Sequence, residues 1–575
     1  MKVRVPMMIQ DPLTSRYKGM ENTEEFFIDR EDFFLDGPVT RRVAVLDFDP
    51  KSGTLLSGAT FLPPKGERTV GRYHVADEGD IHARDFNQVS VFATVLRTMY
   101  MFEEEDALGR PLVWAFDAPQ LLVIPRAGEW ANAYYERESH SLQFYYFPVH
   151  PSSGEMIYTS LSRDIIAHET GHAILDGIAP DLYNAVTPQS LALHEAIADL
   201  TALMMAFSSH NLRQTVLSQT GGYISNSTAF SAIAEEFGRV LSQESRATFY
   251  LRTLLNNKTL DPADTSLDER GRPNCVARND PYALSEVLSG ALYTVIINIH
   301  ESLKRREAAE RGESEYSVSG RALAIGAERF KRMIFRALDY LPPGEVSFAD
   351  YGRAIIAADQ ASHPDPSKER DWLCEEFVRR RMAPDRQSLE VATNLAEPAL
   401  QDLNLETFVE SDWAAYEFAN RNRELLGIPR GIPFRVRPRL DVTKLYYTRE
   451  GKKKIRECIF KVSWERTESN TLSKPFPAKR QITVGTTLAI DWETRALRAK
   501  LTSDLSDEQK HDRDLMLRHL TDQGFLQLER QAIGPDGKEL RSVVIAEAAS
   551  GLMRVRGVAR MLPIIEAANG HRKEA

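Results

Sequence analysis

The hydrophobic pattern of this chain changes its period twice, and that change constrains the fold more than any other feature. Between about 160 and 385, apolar residues recur at the spacing of an α-helix. The segments with this spacing are 162–176, 189–208, 284–304, 320–340 and 347–360. On both sides of this region, short β-branched and aromatic runs bounded by turn residues are typical of strands. The sequence therefore predicts an α+β fold.

Strand-like runs flank the helical region. On the amino-terminal side, the segment 86–105 has helical spacing. The strand-like runs that follow it are 112–116, 121–125, 131–135 and 142–149. On the carboxyl-terminal side one helix interrupts the strands, and the segments are 506–522 for the helix and 444–448, 458–465, 481–492, 526–533 and 540–548 for the strands. We expect 1–85 to be a β-rich segment and 395–575 a separate α+β domain rich in antiparallel strands.

The composition excludes several classes of protein. The 575 residues are 42% apolar and 27% charged, which is a globular composition and not a disordered one. A net charge of −10 argues against a general nucleic-acid-binding protein. No apolar run is long enough to predict a membrane span, and the first residues lack the apolar stretch of a secretory signal. The three cysteines are widely separated, so we expect no disulfide framework and a cytoplasmic location.

One segment contains residue types that are typical of a catalytic metal site. His168, Glu169 and His172 form an H-E-x-x-H motif within the apolar helical segment 161–177. Residues four apart lie on the same face of a helix, so the two imidazoles can bind one zinc ion. Glu169, next to the first histidine, can reach a metal-bound water and act as a general base. A chance match is the alternative, because the motif is short.

A second helical segment supplies further carboxylates. Glu195 follows His168 by 27 residues, and Asp199 follows Glu195 by one helical turn. Catalytic zinc is often held by two histidines and one glutamate. A carboxylate one turn away can accept the N–H of a ligating histidine and fix its orientation. We predict Glu195 as the third ligand and Asp199 as the supporting carboxylate, since both interrupt an otherwise apolar helix.

These motifs resemble those of the gluzincin zinc metallopeptidases, and of the thermolysin family in particular, over about 85–385. The segment around His168 resembles the zinc helix of that family, with Asp164 four residues before the first ligand, where the resemblance implies a supporting role. The segment 194–199 resembles the family's third-ligand segment, with His194 in place of asparagine. The resemblance implies a zincin with a β-rich lobe that includes 86–160 and a helical zinc-binding lobe over 161–390.

The resemblance also implies substrate-binding residues. The segment 131–135 resembles the edge strand with which that family binds substrate backbone, so Asn132, Ala133 and Tyr134 would take an extended peptide as an added strand. Tyr183 lies eleven residues after His172, where the family has a tyrosine that stabilises the oxyanion.

The sequence departs from the family pattern at the proton donor. Where the family has a histidine, the best alignment places Glu286, and Tyr282 is a second candidate for the same role. A helix-terminal glutamate with no catalytic role is an equal alternative. The oxyanion arginine of the family would match Arg252, with Arg278 as a competitor. The acidic cluster that binds calcium in secreted members is absent after Asp199.

From these observations we expect a zinc-dependent endopeptidase that hydrolyses peptide or protein substrates. The absent histidine donor motivates the alternative, a catalytically impaired zinc protein that binds extended peptides without cleaving them. A third hypothesis assigns recognition to the carboxyl-terminal domain, which would tether the protein to a protein partner or hold it inactive. We expect no nucleic-acid or membrane partner.

Overall fold

The structure is a computed structural model of the 575-residue chain. It describes residues 1–12, 21–77, 79–150, 154–226, 228–233, 252–448, 451–503, 506–529, 544–549 and 551–559.

The helices of the described residues are α1 (Arg84–Glu103), α2 (Arg163–Ile178), α3 (Pro188–Ser208), α4 (His210–Gln219), α5 (Thr228–Ser231), α6 (Pro281–Arg311), α7 (Glu315–Arg336), α8 (Phe348–Ser362), α9 (Lys368–Arg379), α10 (Pro398–Gln401), α11 (Leu405–Glu410), α12 (Asp412–Arg421), α13 (Arg423–Leu426) and α14 (Asp507–Asp522).

The strands are β1 (Val3–Met8), β2 (Thr23–Ile28), β3 (Val43–Val45), β4 (Phe61–Leu62), β5 (Gly71–Tyr73), β6 (Leu121–Ile124), β7 (Ala133–Glu136), β8 (Ser141–Phe144), β9 (Tyr146–Pro148), β10 (Met156–Tyr158), β11 (Ala232–Ile233), β12 (Arg252–Thr253), β13 (Phe434–Val436), β14 (Leu440–Thr448), β15 (Gly451–Ser469), β16 (Lys479–Asp491), β17 (Leu497–Thr502), β18 (Leu526–Leu528), β19 (Val544–Ala549) and β20 (Leu552–Arg556).

The α+β class is confirmed. Each segment with helical periodicity forms a helix, and the largest difference in bounds is at α6, which ends at Arg311 instead of 304. Local chemistry fixes the ends. In α6, the Asp280 side chain accepts hydrogen bonds from the main-chain N–H groups of Tyr282 and Ala283. The same helix ends at Gly312, which adopts a left-handed conformation that glycine tolerates best.

One predicted strand is wrong. The run 112–116 is irregular, although its composition is typical of a strand. The main-chain N–H of Leu112 donates to a side-chain oxygen of Glu103 instead of to a neighbouring strand. The carbonyl oxygen of Val113 lies against Gly177 of α2, so closely that a Cβ at Gly177 would be 2.1 Å from it. Packing on a helix therefore replaces pairing in a sheet for this segment.

Two four-stranded sheets form the amino-terminal part of the fold. Their strand orders are β2-β1-β5-β4 and β3-β6-β8-β7. In the second sheet, β3, β6 and β8 run parallel and β7 pairs antiparallel with β8. β7 is therefore an edge strand, with one row of main-chain groups directed away from the sheet.

The carboxyl-terminal part combines α10 to α14 with an eight-stranded sheet. The main path of that sheet has the order β13-β15-β16-β20-β19-β18, with β14 beside β15 and β17 beside β16. A hydrophobic cluster around Phe408, Phe460 and Leu488 lies within this part. Other residues of the sheet and of α14, including Ile459 and Met516, are buried in the same cluster as the helices that precede them. The carboxyl-terminal part thus shares a core with the helical region. Residues 530–543 lie outside the described residues, and so do parts of the predicted strands at 526–533 and 540–548.

Two helices are apolar and long enough to cross a membrane by length and composition alone. These are α3 and α6, and 100% and 67% of their most apolar windows are buried inside the fold. The core helices of globular proteins meet the same criterion, so the two helices are weak evidence for a membrane span.

Candidate metal centre

Close packing of α2 and α3 builds the centre of the site. α2 presents His168 and His172 on one face, and α3 presents Glu195. A Cβ at Gly171 would lie 3.0 Å from Oγ1 of Thr201 and 3.1 Å from Cα of Ala198. Because glycine has no Cβ, α3 can approach α2 closely enough for its carboxylate to meet the two imidazoles.

The three side chains form a compact group of ligand atoms. Nε2 of His168 lies 3.1 Å from Nε2 of His172. The Glu195 carboxylate lies 3.5 Å from Nε2 of His168 and 3.6 Å from Nε2 of His172. Ligand atoms bound tetrahedrally at about 2.0–2.1 Å are about 3.3–3.4 Å apart. The observed separations therefore fit a single tetrahedral metal ion, with one position left for a small ligand.

A carboxylate supports the first histidine. Oδ1 of Asp199 lies 3.0 Å from Nδ1 of His168, and the Asp199 side chain is buried. This position favours a proton on Nδ1, which leaves the lone pair of Nε2 directed at the metal position. Asp164 lies in the first turn of α2, where its carboxylate accepts hydrogen bonds from the main-chain N–H of Ile165 and the hydroxyl of Ser162. Asp164 thus supports the start of the helix.

Glu169 is held against the edge strand. Its Oε2 accepts a 3.0 Å hydrogen bond from the main-chain N–H of Tyr135 in β7. The Tyr135 hydroxyl donates to Oδ2 of Asp176 at 2.7 Å, and Nε of Arg137 donates to the same oxygen at 2.8 Å. β7 is therefore attached to α2 at two places, and the edge strand and the carboxylate have a fixed relative position. The sequence analysis did not single out Tyr135.

The ligand group opens into a cavity of about 40 Å³, which is large enough for water. The residues that line the cavity are Ala133, Tyr135, His168, Glu169, His172, Tyr183, His194, Glu195, Tyr282 and Ala559. Of the predicted oxyanion partners, Tyr183 and Tyr282 are in this group. The Tyr183 hydroxyl donates to Glu138 at 2.9 Å, and the Arg137 guanidinium lies over its ring at 4.1 Å. Burial and the Glu138 carboxylate raise the pKa of Tyr183, so this hydroxyl stays protonated.

Two other candidates, Glu286 and Arg278, are not among the residues that line the cavity. Glu286 is one turn beyond Tyr282 in α6, and its main-chain carbonyl accepts a hydrogen bond from the side chain of Asn256. Arg278 forms ion pairs with Glu508 and Asp512. The backbone of Arg252 is in β12, but its side chain lies outside the described part of the structure.

The three residues predicted to bind substrate differ in their contacts. Ala133 lines the cavity, whereas Oδ1 of Asn132 accepts the main-chain N–H of Ala133. The Tyr134 ring stacks on Tyr145 with the ring centroids 5.7 Å apart, and its hydroxyl donates to Gln143.

His194 is a site residue that the sequence analysis noted only as a substitution. It is buried, and its ring lies 5.9 Å from the His172 ring at an angle of 30°. Burial lowers the pKa of His194 to about 4, so the imidazole is neutral at pH 7. The sequence feature that could have indicated this residue is its position in an apolar helical segment, directly before the predicted ligand Glu195.

A carboxyl-terminal segment closes one side of the cavity. The main-chain N–H of Gly557 donates to Oδ1 of Asn184 at 2.9 Å. Asn184 ends the 3₁₀ helix Pro180–Asn184, which follows α2 and carries Tyr183. Val558 and Ala559 are buried, and Ala559 lines the cavity.

No protein-family model matches the chain, and no curated protein has significant similarity to it. A function for this protein is therefore proposed from the geometry described above.

Proposed function

We propose that the protein is a zinc-dependent endopeptidase with a fold like that of thermolysin. The observation that carries this proposal is the combination of one ligand group and one positioned base. Three ligand atoms lie 3.1–3.6 Å apart, and the Glu169 carboxylate beside them is fixed by the main chain of β7. Two histidines and one glutamate form a donor set that suits zinc in hydrolytic enzymes.

Each residue has a defined part in hydrolysis. Bound zinc would lower the pKa of a coordinated water and polarise the scissile carbonyl. His168, His172 and Glu195 would hold the ion, and Asp199 would orient His168. Glu169 would take a proton from the attacking water and pass it to the leaving amine.

The edge strand provides the substrate-binding surface. β7 has its only described sheet partner, β8, on one side, so a peptide can add as a further strand on the other. The N–H of Tyr135 points to that open side and already bonds Glu169, so a peptide along β7 would present its backbone next to the base. This arrangement selects extended peptide segments and depends little on side-chain identity.

A digest of a broad peptide library tests the proposal. We expect the zinc-loaded protein to cleave within peptides, and we expect Glu169→Gln to retain zinc while losing cleavage. Cleavage by Glu169→Gln at the wild-type rate would contradict the role of the base. Retained peptide binding with no cleavage by the zinc-loaded wild type would favour the alternative, a zinc protein that captures extended peptides.

A further inference from the structure

The ligand cavity contains one imidazole that the proposed chemistry has not used. His194 lines the cavity together with His168, His172 and Glu169. Among the described residues, the group whose ligand atoms lie within 4.8 Å of one another comprises His168, His172 and Glu195. His194 is therefore beside the metal position without belonging to the ligand group.

The His194 side chain is buried, and one of its nitrogens has no hydrogen-bond partner among the described residues. It is 2% exposed, and its Nε2 has no hydrogen-bond partner among the described residues. A buried polar atom without a partner destabilises the fold by about as much as a lost hydrogen bond. Buried His300 also has one nitrogen, Nδ1, without a described partner, but its Nε2 lies 3.1 Å from the carbonyl oxygen of Ser319 and it does not line the ligand cavity. His194 differs because it lines the cavity beside the ligand group, where a partner for its Nε2 can arrive with substrate.

Hydrolysis of a peptide bond needs such a donor. As water attacks the scissile carbonyl, negative charge develops on the carbonyl oxygen, and a positioned N–H or O–H stabilises it. The Tyr183 hydroxyl lines the same cavity but already donates to Glu138. His194, by contrast, can offer an N–H without giving up a bond to a described residue.

We infer that His194 is a catalytic residue that donates a hydrogen bond from its imidazole to the oxyanion formed at the scissile carbonyl. The inference rests on the proposed peptidase function and places a donor on α3, in addition to Tyr282 of α6, which lines the same cavity. The proton stays on the imidazole nitrogen throughout, so His194 acts as a hydrogen-bond donor and not as an acid.

Variants of His194 in the full-length zinc-loaded protein test the inference. We expect His194→Phe to retain zinc, to keep KM within a few-fold and to lower kcat by about 10²–10³-fold, as for removal of an oxyanion donor. A phosphinic peptide, which mimics the tetrahedral state, should lose affinity by a similar factor. His194→Gln, whose amide can donate a hydrogen bond, should recover part of both losses. A kcat and an inhibitor affinity of His194→Phe within a few-fold of wild type would overturn the inference.

A measurement on the wild type covers the case in which these variants do not fold. In a crystal structure of the zinc-loaded protein with a phosphinic peptide, we expect an imidazole nitrogen of His194 at about 2.7–3.1 Å from a phosphinate oxygen. A His194 ring turned away from both phosphinate oxygens would overturn the inference. Absence of peptide cleavage by the wild type would instead contradict the proposed function, so the two failures are distinguishable.

Discussion

The main-chain N–H of Tyr135 donates a hydrogen bond to the Glu169 carboxylate, and this contact joins the edge strand β7 to α2, the helix that carries His168 and His172. It restrains the carboxylate without the use of another side chain. A substitution at position 135 leaves the donor in place, so the position of Glu169 depends on the backbone of β7 and on the length of its own side chain.

Shortening the Glu169 side chain moves its carboxylate while keeping the negative charge. We expect Glu169→Asp to lower kcat by at least about 10²-fold, because a carboxylate one methylene shorter cannot keep both the Tyr135 N–H and the attacking water within reach. Steady-state kinetics and zinc analysis of the same samples measure this effect. Activity of Glu169→Asp close to that of wild type would show that the base does not need this position.

We expect Asp199 to influence metal affinity through His168. Its carboxylate lies 3.0 Å from Nδ1 of His168, and loss of such a contact typically weakens metal binding by about 10–100-fold. We expect Asp199→Ala to show this loss in competition with a zinc chelator, and excess zinc to restore its activity. Asp199→Asn, which keeps an oxygen acceptor, should lose less. Equal affinity of Asp199→Ala and wild type would contradict the assignment.

Gly171 permits the close packing of α2 and α3. In an open helix, alanine is preferred to glycine by about 1 kcal/mol. Here a Cβ would be 3.0–3.1 Å from Thr201 and Ala198, so we expect Gly171→Ala to destabilise the fold by about 1–3 kcal/mol and to weaken metal binding. Gly320→Ala is the control, since the nearest atom there is the flexible end of Gln214. Urea unfolding compares the two, and similar free energies for both would disprove the steric explanation.

We expect His300 to make the free energy of unfolding depend on pH. Its side chain is buried, and burial lowers its pKa from 6.5 to about 4 in the folded state. Between these values the unfolded chain binds a proton that the folded protein does not, so stability falls as the pH decreases through this window. We expect this residue to account for up to about 3 kcal/mol of the loss. His300→Gln can keep the hydrogen bond to Ser319 and should show a shallower pH dependence in urea unfolding. Identical slopes for the variant and wild type would refute the prediction.

Removal of 557–575 tests the closure of the cavity. The contact of Gly557 with Asn184 and the buried Ala559 are lost in a chain that ends at Arg556, whereas β20 is retained. We expect a chelator to remove zinc faster from this variant and peptide hydrolysis to increase. A chain that ends at Arg560 keeps Gly557 and Ala559 and is the control, so faster zinc release from the shorter chain than from this control assigns the closure to 557–559. Unchanged metal release after removal of 557–575 would contradict a closing role.

The sequence predicted the parts of the fold whose signals are local. Helical periodicity located α2 and α3, and the four-residue spacing of His168 and His172 placed both imidazoles on one face. The strand at 112–116 was wrong, because contacts with Glu103 and Gly177 decide its conformation and neither contact is visible in composition.

Features of the site that come from distant parts of the chain were not predictable. The N–H of Tyr135 carries no side-chain signal, so its contact with Glu169 follows only from the position of β7 at the edge of its sheet. Ala559 reaches the cavity from 364 residues beyond Glu195, the difference of their residue numbers. His194 was visible in the sequence, but its orientation toward the cavity depends on the rotation of α3 against α2.

The positions of the cavity-lining residues along the chain have a consequence for biosynthesis. Its other lining residues lie between 133 and 282, whereas the residue that closes it is Ala559. A ribosome makes a chain from its amino terminus, and structure forms as segments emerge. His168, His172, Glu195, Glu169 and β7 are therefore translated long before Ala559. If His168, His172 and Glu195 hold zinc as proposed, the ion could therefore bind during translation, before the carboxyl-terminal segment lies beside the cavity.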